Sequence, residues 1–321
     1  MPQDEPGGDM DEILVLQDLG VDRDLAESRC GEVLPDCRLV WNPDSGSCPG
    51  SLGSLEYLVT VDTPVPGRLM RGSNLKMISV SFTGYEFIDL DAARDSGVAV
   101  SNVPGYASQS VAEMAVLLTL GLLRKLKQSD FLVREVRWEE APRGFELAGR
   151  TVGIVGTGHC GMATARLFSA FGCRLLGYSR TENEKFTTMG GRYMKLDALL
   201  AASDIVSLHL PLNADTGNFI DYSQLGTMKE TALLINTARG GLVNQTALAR
   251  ALENGIIAGA GLDVFSSEPP PIGQRILYAP NTLFTPHSGY RTHEALRRKV
   301  DATFENIRAF REGRILNRVD L

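Results

Sequence analysis

Residues 151–168 read TVGIVGTGHCGMATARLF, and this stretch decides the fold of the chain. The apolar run Thr151–Val155 is followed directly by three glycines, Gly156, Gly158 and Gly161, and then by an apolar segment with helical character. A strand, a tight turn and a helix in this order form the context in which a G-x-G-x-x-G pattern binds a dinucleotide. The first glycine makes the turn, the second lets a pyrophosphate approach the backbone, and the third lets helix and strand pack closely. The sequence therefore predicts a dinucleotide-binding domain.

The start of the following helix predicts where the phosphates bind. We expect this helix at Met162–Phe171, with free N–H groups and the positive end of the helix dipole facing an anion. The remaining residues of the glycine loop (Gly156–Gly161), namely Thr157, His159 and Cys160, are predicted to contact the cofactor, the last two as backbone donors. The loop is predicted to hold no metal.

The end of the next strand indicates which dinucleotide is bound. An Asp or Glu there would accept a hydrogen bond from the ribose 2′-hydroxyl of NAD, but this chain has Ser179, Arg180 and Thr181 instead. Arg180 suits a 2′-phosphate, and Ser179 and Thr181 are able to donate hydrogen bonds to it. The pattern favours NADP. NAD stays the alternative, because Glu182 and Glu184 lie near enough in the chain to reach a ribose hydroxyl.

Strands and helices alternate on both sides of the glycine loop. Before residue 103 the predicted strands are Ile13–Leu16, Leu39–Trp41, Tyr57–Val61, Met77–Val80 and Val98–Val100. After the glycine-loop strand they are Arg174–Tyr178, Asp204–Leu210, Ala232–Asn236, Gly259–Val264 and Thr282–Thr285. A long apolar helix is expected at about Ser108–Lys127, and an exposed amphipathic helix at Thr292–Arg311. Such alternation predicts parallel sheets covered by helices, the α/β class.

Composition excludes several classes of function. The chain has 321 residues, a formal charge of −7 and no basic cluster, which argues against nucleic acid or a membrane surface as partner. Its longest apolar stretch, Val111–Leu123, is too short to span a membrane and contains Glu113. Five cysteines without C-x-x-C spacing fit a reducing compartment, so we expect a cytoplasmic protein. The acidic stretch from Met1 to Glu12 is expected to lie outside the fold.

Three residues with catalytic chemistry each follow a predicted strand. Arg239 follows the strand that ends at Asn236, Glu268 lies in the loop after Val264, and His287 comes directly after the last strand. Ligands of parallel α/β sheets bind beyond the carboxyl ends of the strands. We therefore expect these three side chains to face one crevice.

The sequence resembles the D-2-hydroxyacid dehydrogenase family, which includes glycerate dehydrogenase and hydroxypyruvate/glyoxylate reductase. The resemblance extends from about Tyr57 to the C-terminus. Besides the glycine loop it rests on these segments: Asn102-Val-Pro-Gly105, Val111-Ala-Glu113, His209-Leu-Pro211 with Thr216, Asn236-Thr-Ala-Arg239-Gly, Leu262-Asp-Val-Phe-Ser-Ser-Glu268-Pro and Pro286-His287. It implies a Rossmann-type doubly wound cofactor domain, residues 103–290. A flavodoxin-like substrate domain, residues 1–102 with 291–321, would complete a cleft.

The resemblance also implies the role of each catalytic residue. Arg239 would bind the substrate carboxylate and polarise the keto oxygen. His287 would exchange the hydroxyl proton as a general acid–base, and Glu268 would orient its imidazole. The implied reaction is hydride transfer between a nicotinamide and C2 of a small 2-oxo or D-2-hydroxy acid.

Further contacts follow from the same motifs. The cofactor would also touch residues after four strands, together with Arg239 and His287: His209, Leu210, Pro211, Thr216, Thr237, Ala238, Asp263 and Gly289. The substrate carboxylate would be held by Thr83 and Gly84, with Arg239 and His287.

Departures from the family pattern leave the substrate open. The usual G-x-D is replaced by Gly84-Tyr85-Glu86, and Ser288 replaces a small apolar residue. One alternative is therefore a specialised biosynthetic dehydrogenase acting on a phosphonate or a larger 2-hydroxy acid analogue. Another is an NAD(H)-sensing, corepressor-like scaffold, against which the retained acid–base pair argues.

Relatives of this kind dimerise through the cofactor domain, so the resemblance implies a homodimer. The Gln128–Arg150 arm, with Phe131, Trp138 and Phe145, is expected to contribute to the interface.

Overall fold

A computed structural model describes residues 10–321 of the chain, and these divide into two compact units. One unit comprises residues 10–106 together with Thr292–Leu321, and the other comprises Ala107–Arg291. The predicted boundaries, at residues 102 and 291, lie close to these division points. The assignment of a substrate role to the first unit stays a prediction.

The first unit contains a parallel sheet. Within residues 10–106 its elements are β1 (Asp11–Val15), α1 (Arg23–Val33), β2 (Cys37–Trp41), β3 (Tyr57–Thr60), α2 (Gly67–Met70), β4 (Met77–Val80), α3 (Leu90–Asp95) and β5 (Ala99–Ser101). Over this described range the sheet has five strands in the order β2-β1-β3-β4-β5, each parallel to its neighbours. This is the flavodoxin-like order.

The second unit holds the longer parallel sheet. Its elements are α4 (Ser108–Leu123), α5 (Leu126–Arg134), β6 (Thr151–Val155), α6 (His159–Ala170), β7 (Arg174–Tyr178), α7 (Glu184–Thr188), β8 (Arg192–Tyr193), α8 (Leu196–Ala202), β9 (Ile205–Leu208), α9 (Tyr222–Thr227), β10 (Leu233–Asn236), α10 (Gln245–Glu253), β11 (Gly259–Leu262) and β12 (Thr282–Phe284). Across Ala107–Arg291 seven strands follow the order β12-β11-β10-β9-β6-β7-β8. The strand order reverses between β6 and β9, as in a doubly wound dinucleotide-binding sheet. The final helix, α11 (His293–Arg311), belongs to the first unit.

Continuous burial of the central strands explains their sequences. Every residue of β3, β4, β6, β9, β10 and β11 is buried. Parallel strands covered by helices on both faces consist of such uninterrupted runs of apolar and small residues. The predicted fold class, two α/β domains with a Rossmann-type sheet, is confirmed.

Three local predictions are wrong. The helix expected to reach Lys127 ends at Leu123, because Lys125 has a left-handed backbone (φ 53°) that breaks the helix before α5. The helix expected from Met162 begins at His159, because the preceding glycine is extended and caps it. Asp11 and Glu12, expected outside the fold, pair with β2 in β1. The rest of that stretch, residues 1–9, lies outside the described residues.

No helix in residues 10–321 combines the length and the apolar character that crossing a membrane requires.

Candidate active site

The glycine loop is packed tightly on one side and open at its middle. Gly156 has a left-handed backbone (φ 98°), and a Cβ there would lie 2.7 Å from the carbonyl oxygen of His209. A Cβ on Gly161 would lie 1.9 Å from the carbonyl oxygen of Gly156, so a side chain at either position would collide with backbone. A Cβ on Gly158 would meet no described atom within 4 Å. The loop therefore offers its backbone to a ligand at Gly158.

The start of α6 adds hydrogen-bond donors at the same place. His159 and Cys160 are its first residues, and no side chain caps this end. The first N–H groups of a helix have no intrahelical acceptor, so they are free to bind phosphate oxygens. Burial raises the pKa of the Cys160 thiol, although a hydrogen bond to Ser108 and the charge of Arg239 oppose this. Cys160 therefore contributes backbone rather than a thiolate.

Two buried polar atoms on neighbouring strand ends find no partner among residues 10–321. They are Nδ1 of His209, which follows β9, and Oγ1 of Thr237, which follows β10. Nε2 of His209 lies 2.8 Å from Oγ of Ser207, and burial lowers the pKa of His209 to about 4, so the imidazole is neutral at physiological pH. Buried polar groups in folded proteins are nearly always hydrogen-bonded. A dinucleotide carries suitable polar groups, and the residues of this edge fit one.

The turn after β9 is braced by Thr216. Its hydroxyl donates to the carbonyl of Pro211 (2.7 Å) and accepts from the N–H of Asn213 (2.8 Å). Leu210 is half-buried and Pro211 is exposed. The predicted contact of Thr216 with the cofactor phosphates stays a prediction, and the hydroxyl also has this structural task.

The loop after β7 carries the residues that are predicted to contact the 2′-phosphate or 2′-hydroxyl of the cofactor ribose. Arg180 and Thr181 are exposed and Ser179 is half-buried. Within the described chain, Arg180 has no ion pair. Glu184 begins α7, where Asn183 caps the helix. The guanidinium of Arg180 is thus available to an anionic ligand.

Arg239 is positioned by an asparagine and a glycine. The Asn236 amide donates to the Arg239 carbonyl (2.9 Å) and accepts from the N–H of Ala238 (3.1 Å). A Cβ on Gly240 would lie 1.9 Å from the carbonyl carbon of Phe265, so the loops after β10 and β11 cross here with backbone in contact. The Arg239 guanidinium donates to the Ala238 carbonyl (2.8 Å) and is half-buried. Its loop therefore lies directly against the loop that carries the predicted acid.

Glu268 and His287 are in direct contact. Nδ1 of His287 lies 2.6 Å from Oε2 of Glu268. The other carboxylate oxygen of Glu268 accepts from the N–H of Phe265 (2.9 Å). Because Nδ1 faces a carboxylate, the imidazole carries its proton there and leaves Nε2 for chemistry. The His287 side chain is 31% exposed and the Glu268 side chain is 36% exposed, so a substrate has access to the pair.

Asp263 holds the loop of His287. Its carboxylate accepts from the Thr285 hydroxyl (2.5 Å) and from the N–H groups of Ser288 and Gly289 (both 2.8 Å). Its carbonyl accepts from the N–H of His287 (2.7 Å). These bonds fix His287 in a left-handed backbone conformation (φ 49°), which is uncommon for residues other than glycine. The predicted contact of Asp263 with the cofactor stays a prediction.

The acid–base pair borders a pocket of about 440 Å³. Its apolar wall includes Phe265 and Phe284, whose rings meet edge-on at 5.6 Å. Tyr290 also packs edge-on against the His287 ring, with centroids 5.7 Å apart. No role was predicted for Tyr290, Asn236 or the Phe265 amide. Each contacts a residue three positions away, and within a loop this spacing does not by itself indicate a contact.

In the first unit, the predicted substrate loop follows β4. The Thr83 hydroxyl donates to the Val103 carbonyl (3.0 Å), and the Asn102 amide donates to the Thr83 carbonyl (2.7 Å). Among the hydrogen bonds of residues 10–321, the N–H groups of Thr83 and Gly84 are not donors to any protein acceptor. Both backbone donors are thus available.

Known proteins that are similar to this chain belong to the family that its motifs indicate. The family model "D-isomer specific 2-hydroxyacid dehydrogenase, NAD binding domain" matches residues 116–289. A glyoxylate reductase of Korarchaeum cryptofilum is 40% identical over 247 residues, 75% of this chain and 74% of the relative. A hydroxypyruvate reductase of Blautia hydrogenotrophica is 32% identical over 277 residues, 84% of this chain and 86% of the relative.

A solved structure is similar along nearly the whole chain. It is a glyoxylate reductase from Paecilomyes thermophila, with a TM-score of 0.84 and 29% identity, covering 96% of this chain and 98% of that one. The predicted resemblance is confirmed. With a Rossmann-type sheet, a dinucleotide-binding glycine loop and a matching family model over more than half its length, the chain belongs to the D-isomer specific 2-hydroxyacid dehydrogenase family.

Proposed function

We propose that this oxidoreductase reduces small 2-oxo acids to D-2-hydroxy acids, with glyoxylate and hydroxypyruvate as substrates and NADP(H) as preferred cofactor. The observation that carries the proposal is the 2.6 Å contact between His287 and Glu268. It lies at the carboxyl edge of the sheet that also bears the glycine loop and Arg239. A scaffold that only senses NAD(H) has no need for such a pair.

The acid–base chemistry follows from the proton positions. When bound, the nicotinamide supplies the hydride in reduction or accepts it in oxidation. Glu268 holds the proton on Nδ1 of His287 and stabilises the imidazolium, so Nε2 gives a proton to the substrate oxygen in reduction and takes one in oxidation. Asp263 and the Phe265 amide keep both partners in place.

Substrate binding is assigned to charged and backbone donors. The planar guanidinium of Arg239 is suited to a carboxylate and to the adjacent keto oxygen. The free N–H groups of Thr83 and Gly84 are proposed to bind the same carboxylate. Small substrates are favoured because the named relatives reduce glyoxylate and hydroxypyruvate.

The preference for NADP rests on the loop after β7. Arg180 is exposed and has no ion pair among the described residues. It lies after the strand whose end binds the adenosine ribose in dinucleotide-binding sheets. No acid stands at the strand end to accept from a 2′-hydroxyl.

The test measures initial rates for every combination of cofactor and substrate. Wild-type protein is incubated with NADPH or NADH and with glyoxylate, hydroxypyruvate, pyruvate or a phosphonate analogue, and nicotinamide absorbance is followed. We expect the highest kcat/KM for NADPH with glyoxylate or hydroxypyruvate. Activity confined to the phosphonate analogue would replace the proposed substrate, and equal rates with both cofactors would overturn the NADP preference.

We further propose that the protein is a homodimer through the second unit. Large apolar side chains remain exposed on and after α5: Leu126, Phe131, Val133, Trp138 and Phe145. Phe131 and Phe145 border an apolar groove of about 700 Å³ that Leu122 and Leu283 also line. Exposed apolar surface of this extent is typical of an interface. Sedimentation at micromolar concentration should give twice the 34.8 kDa chain mass; a single species at the chain mass would contradict the proposal.

A cytoplasmic location is also inferred. All five cysteines of the chain lie in the described part and are free thiols. Free buried thiols fit a reducing compartment.

A further inference from the structure

A single tyrosine hydroxyl joins the two loops assigned to the cofactor. The Tyr193 hydroxyl, on the short strand β8, lies 2.7 Å from the Thr157 hydroxyl in the glycine loop. It also accepts from the N–H of Asn183 (2.8 Å), at the end of the loop that carries Arg180. The Asn183 side chain donates to the Thr157 carbonyl (3.3 Å) and completes the link.

The position of this hydroxyl is fixed by aromatic packing. The Tyr193 ring packs against the buried Phe186 ring, with centroids 5.0 Å apart. A Cβ on Gly177 would lie 2.6 Å from the Phe186 ring and 3.0 Å from the Tyr193 ring, so the two rings fill the space beside β7 completely. Close packing of this kind restricts ring movement. The hydroxyl is therefore held between the loops by the core.

The hydrogen bonds agree with the chemistry of this hydroxyl. The Asn183 N–H is only a donor, so the Tyr193 oxygen accepts there. Between the Tyr193 and Thr157 hydroxyls either one is able to donate. The Tyr193 hydroxyl thus makes one hydrogen bond to each of the two loops.

The loop that carries Arg180 has few other restraints near its charged residue. Arg180 and Thr181 are exposed, and no ion pair in the described chain holds Arg180. The Gly156 N–H joins the near end of this loop to the glycine loop through the Tyr178 carbonyl (2.7 Å), and the bonds from Tyr193 and Thr157 to Asn183, three residues beyond Arg180, hold its far end. A cofactor that touches both loops binds best when their separation is fixed in advance.

We propose that Tyr193 is a positioning residue that holds the Ser179–Asn183 loop at the distance from the glycine loop required by a 2′-phosphorylated dinucleotide, and so contributes to the selection of NADPH over NADH. The inference rests on the proposed function, because it assigns the 2′-phosphate to Arg180. Tyr193 itself need not touch the cofactor.

The test compares variants that remove the link from either side. Tyr193→Phe keeps the ring and removes the hydroxyl, Thr157→Val removes its partner, and the double variant completes a cycle. Tyr222→Phe, which removes a hydroxyl from the distant helix α9, is the matched control. KM and kcat are measured with NADPH and with NADH, together with Tm.

We expect Tyr193→Phe to raise the KM for NADPH about 3- to 10-fold, the range of one lost neutral hydrogen bond, with kcat unchanged. The KM for NADH should change by less than about 2-fold, because NADH has no 2′-phosphate to misplace. In the ratio of the NADPH and NADH KM values the double variant should resemble either single variant, since both remove the same bond. Tyr222→Phe should behave as wild type.

Two outcomes separate the possible failures. A wild type that binds NADPH and NADH equally overturns the proposed NADP preference and this inference with it. A wild type that prefers NADPH, with an unchanged preference in Tyr193→Phe or equal KM increases for both cofactors, overturns the inference alone. If Tyr193→Phe does not fold, the cofactor ratio of Thr157→Val decides in the same way.

Discussion

Polar side chains lie at the strand ends of both units, but their hydrogen bonding differs. In the first unit the side-chain carbonyl of Gln17 accepts from the N–H of Thr63 (3.0 Å), and the hydroxyls of Thr303 and Ser81 lie 2.8 Å apart. At the corresponding edge of the second unit, Nδ1 of His209 and Oγ1 of Thr237 are buried without a partner in the described chain. These side chains are thus paired in the first unit and unpaired in the second.

The unpaired side chains of the second unit are suited to a ligand with polar groups. A buried polar group without a partner costs about 1–3 kcal/mol, which the folded protein carries unless a ligand offsets it. The second unit also holds His287, the proposed acid–base, in a left-handed backbone conformation that Asp263 fixes. Such features cluster at functional sites.

The largest effect should come from removing the acid–base group at the open edge. His287→Asn should lower kcat by about 10²- to 10⁴-fold, because proton transfer by a positioned side chain contributes this much. Nucleotide binding, measured by fluorescence titration, should persist. His293→Asn, an exposed histidine of α11, is the control. Unchanged turnover in His287→Asn would remove this residue from the mechanism.

Removing the partner of the histidine should have the next largest effect. Glu268→Gln keeps the size of the side chain but no longer requires the proton on Nδ1 of His287, so kcat should fall about 10²-fold. Steady-state rates with hydroxypyruvate measure the loss. Glu253→Gln, an exposed acid of α10, should leave the rate unchanged. A wild-type kcat in Glu268→Gln would show that the 2.6 Å contact is only structural.

Arg180→Ala tests the proposed contact with the cofactor 2′-phosphate at the same edge of the second unit. We expect the KM for NADPH to rise about 30-fold, since a charge-assisted hydrogen bond contributes about 1.5–3 kcal/mol, and the KM for NADH to change little. Arg192→Ala, an exposed arginine on β8, serves as control. Equal increases for NADPH and NADH would show that Arg180 does not read the 2′-phosphate.

Lys299 is a buried cation of the first unit, and its burial predicts a smaller effect on stability. It is 2% exposed, without an ion pair among residues 10–321, and burial lowers its pKa from 10.5 to about 8, although Asp18 and Asp62 oppose this. Between pH 8 and 10.5 the unfolded chain binds more protons than the folded chain, so stability should rise with pH across this window.

Lys299→Met should therefore raise the free energy of unfolding by about 1–2 kcal/mol at pH 7, where the wild type must keep a charged amine buried. The gain should shrink as the pH approaches 10.5. Urea unfolding at both pH values measures it, with the exposed Lys195→Met as control. A destabilised Lys299→Met at pH 7 would show that the amine has a favourable partner.

The sequence predicted the strands and the glycine loop because their signals are local. Uninterrupted apolar runs such as Met77–Val80 mark buried parallel strands with accurate ends. The strand ends predicted a shared crevice for Glu268 and His287, and the family resemblance implied their contact, which the structure contains.

Other features could not be predicted from the sequence, because neither residue type nor periodicity indicates them. The left-handed Lys125 that ends α4 has no residue-type signal, since lysine favours helices. The support of Asp263 for the His287 loop joins residues about two dozen positions apart. Tyr193 acts from a strand of two residues, which is too short for a periodic pattern.

The most direct test of the account follows the hydride itself. The protein is given nicotinamide cofactor deuterated at the transferable C4 position together with hydroxypyruvate, and the product is analysed by mass spectrometry and chiral chromatography. The wild type should form D-glycerate with one deuterium at C2, and His287→Asn should form almost none in the same time. Folded protein that binds the cofactor but forms no labelled 2-hydroxy acid from any small 2-oxo acid would contradict it.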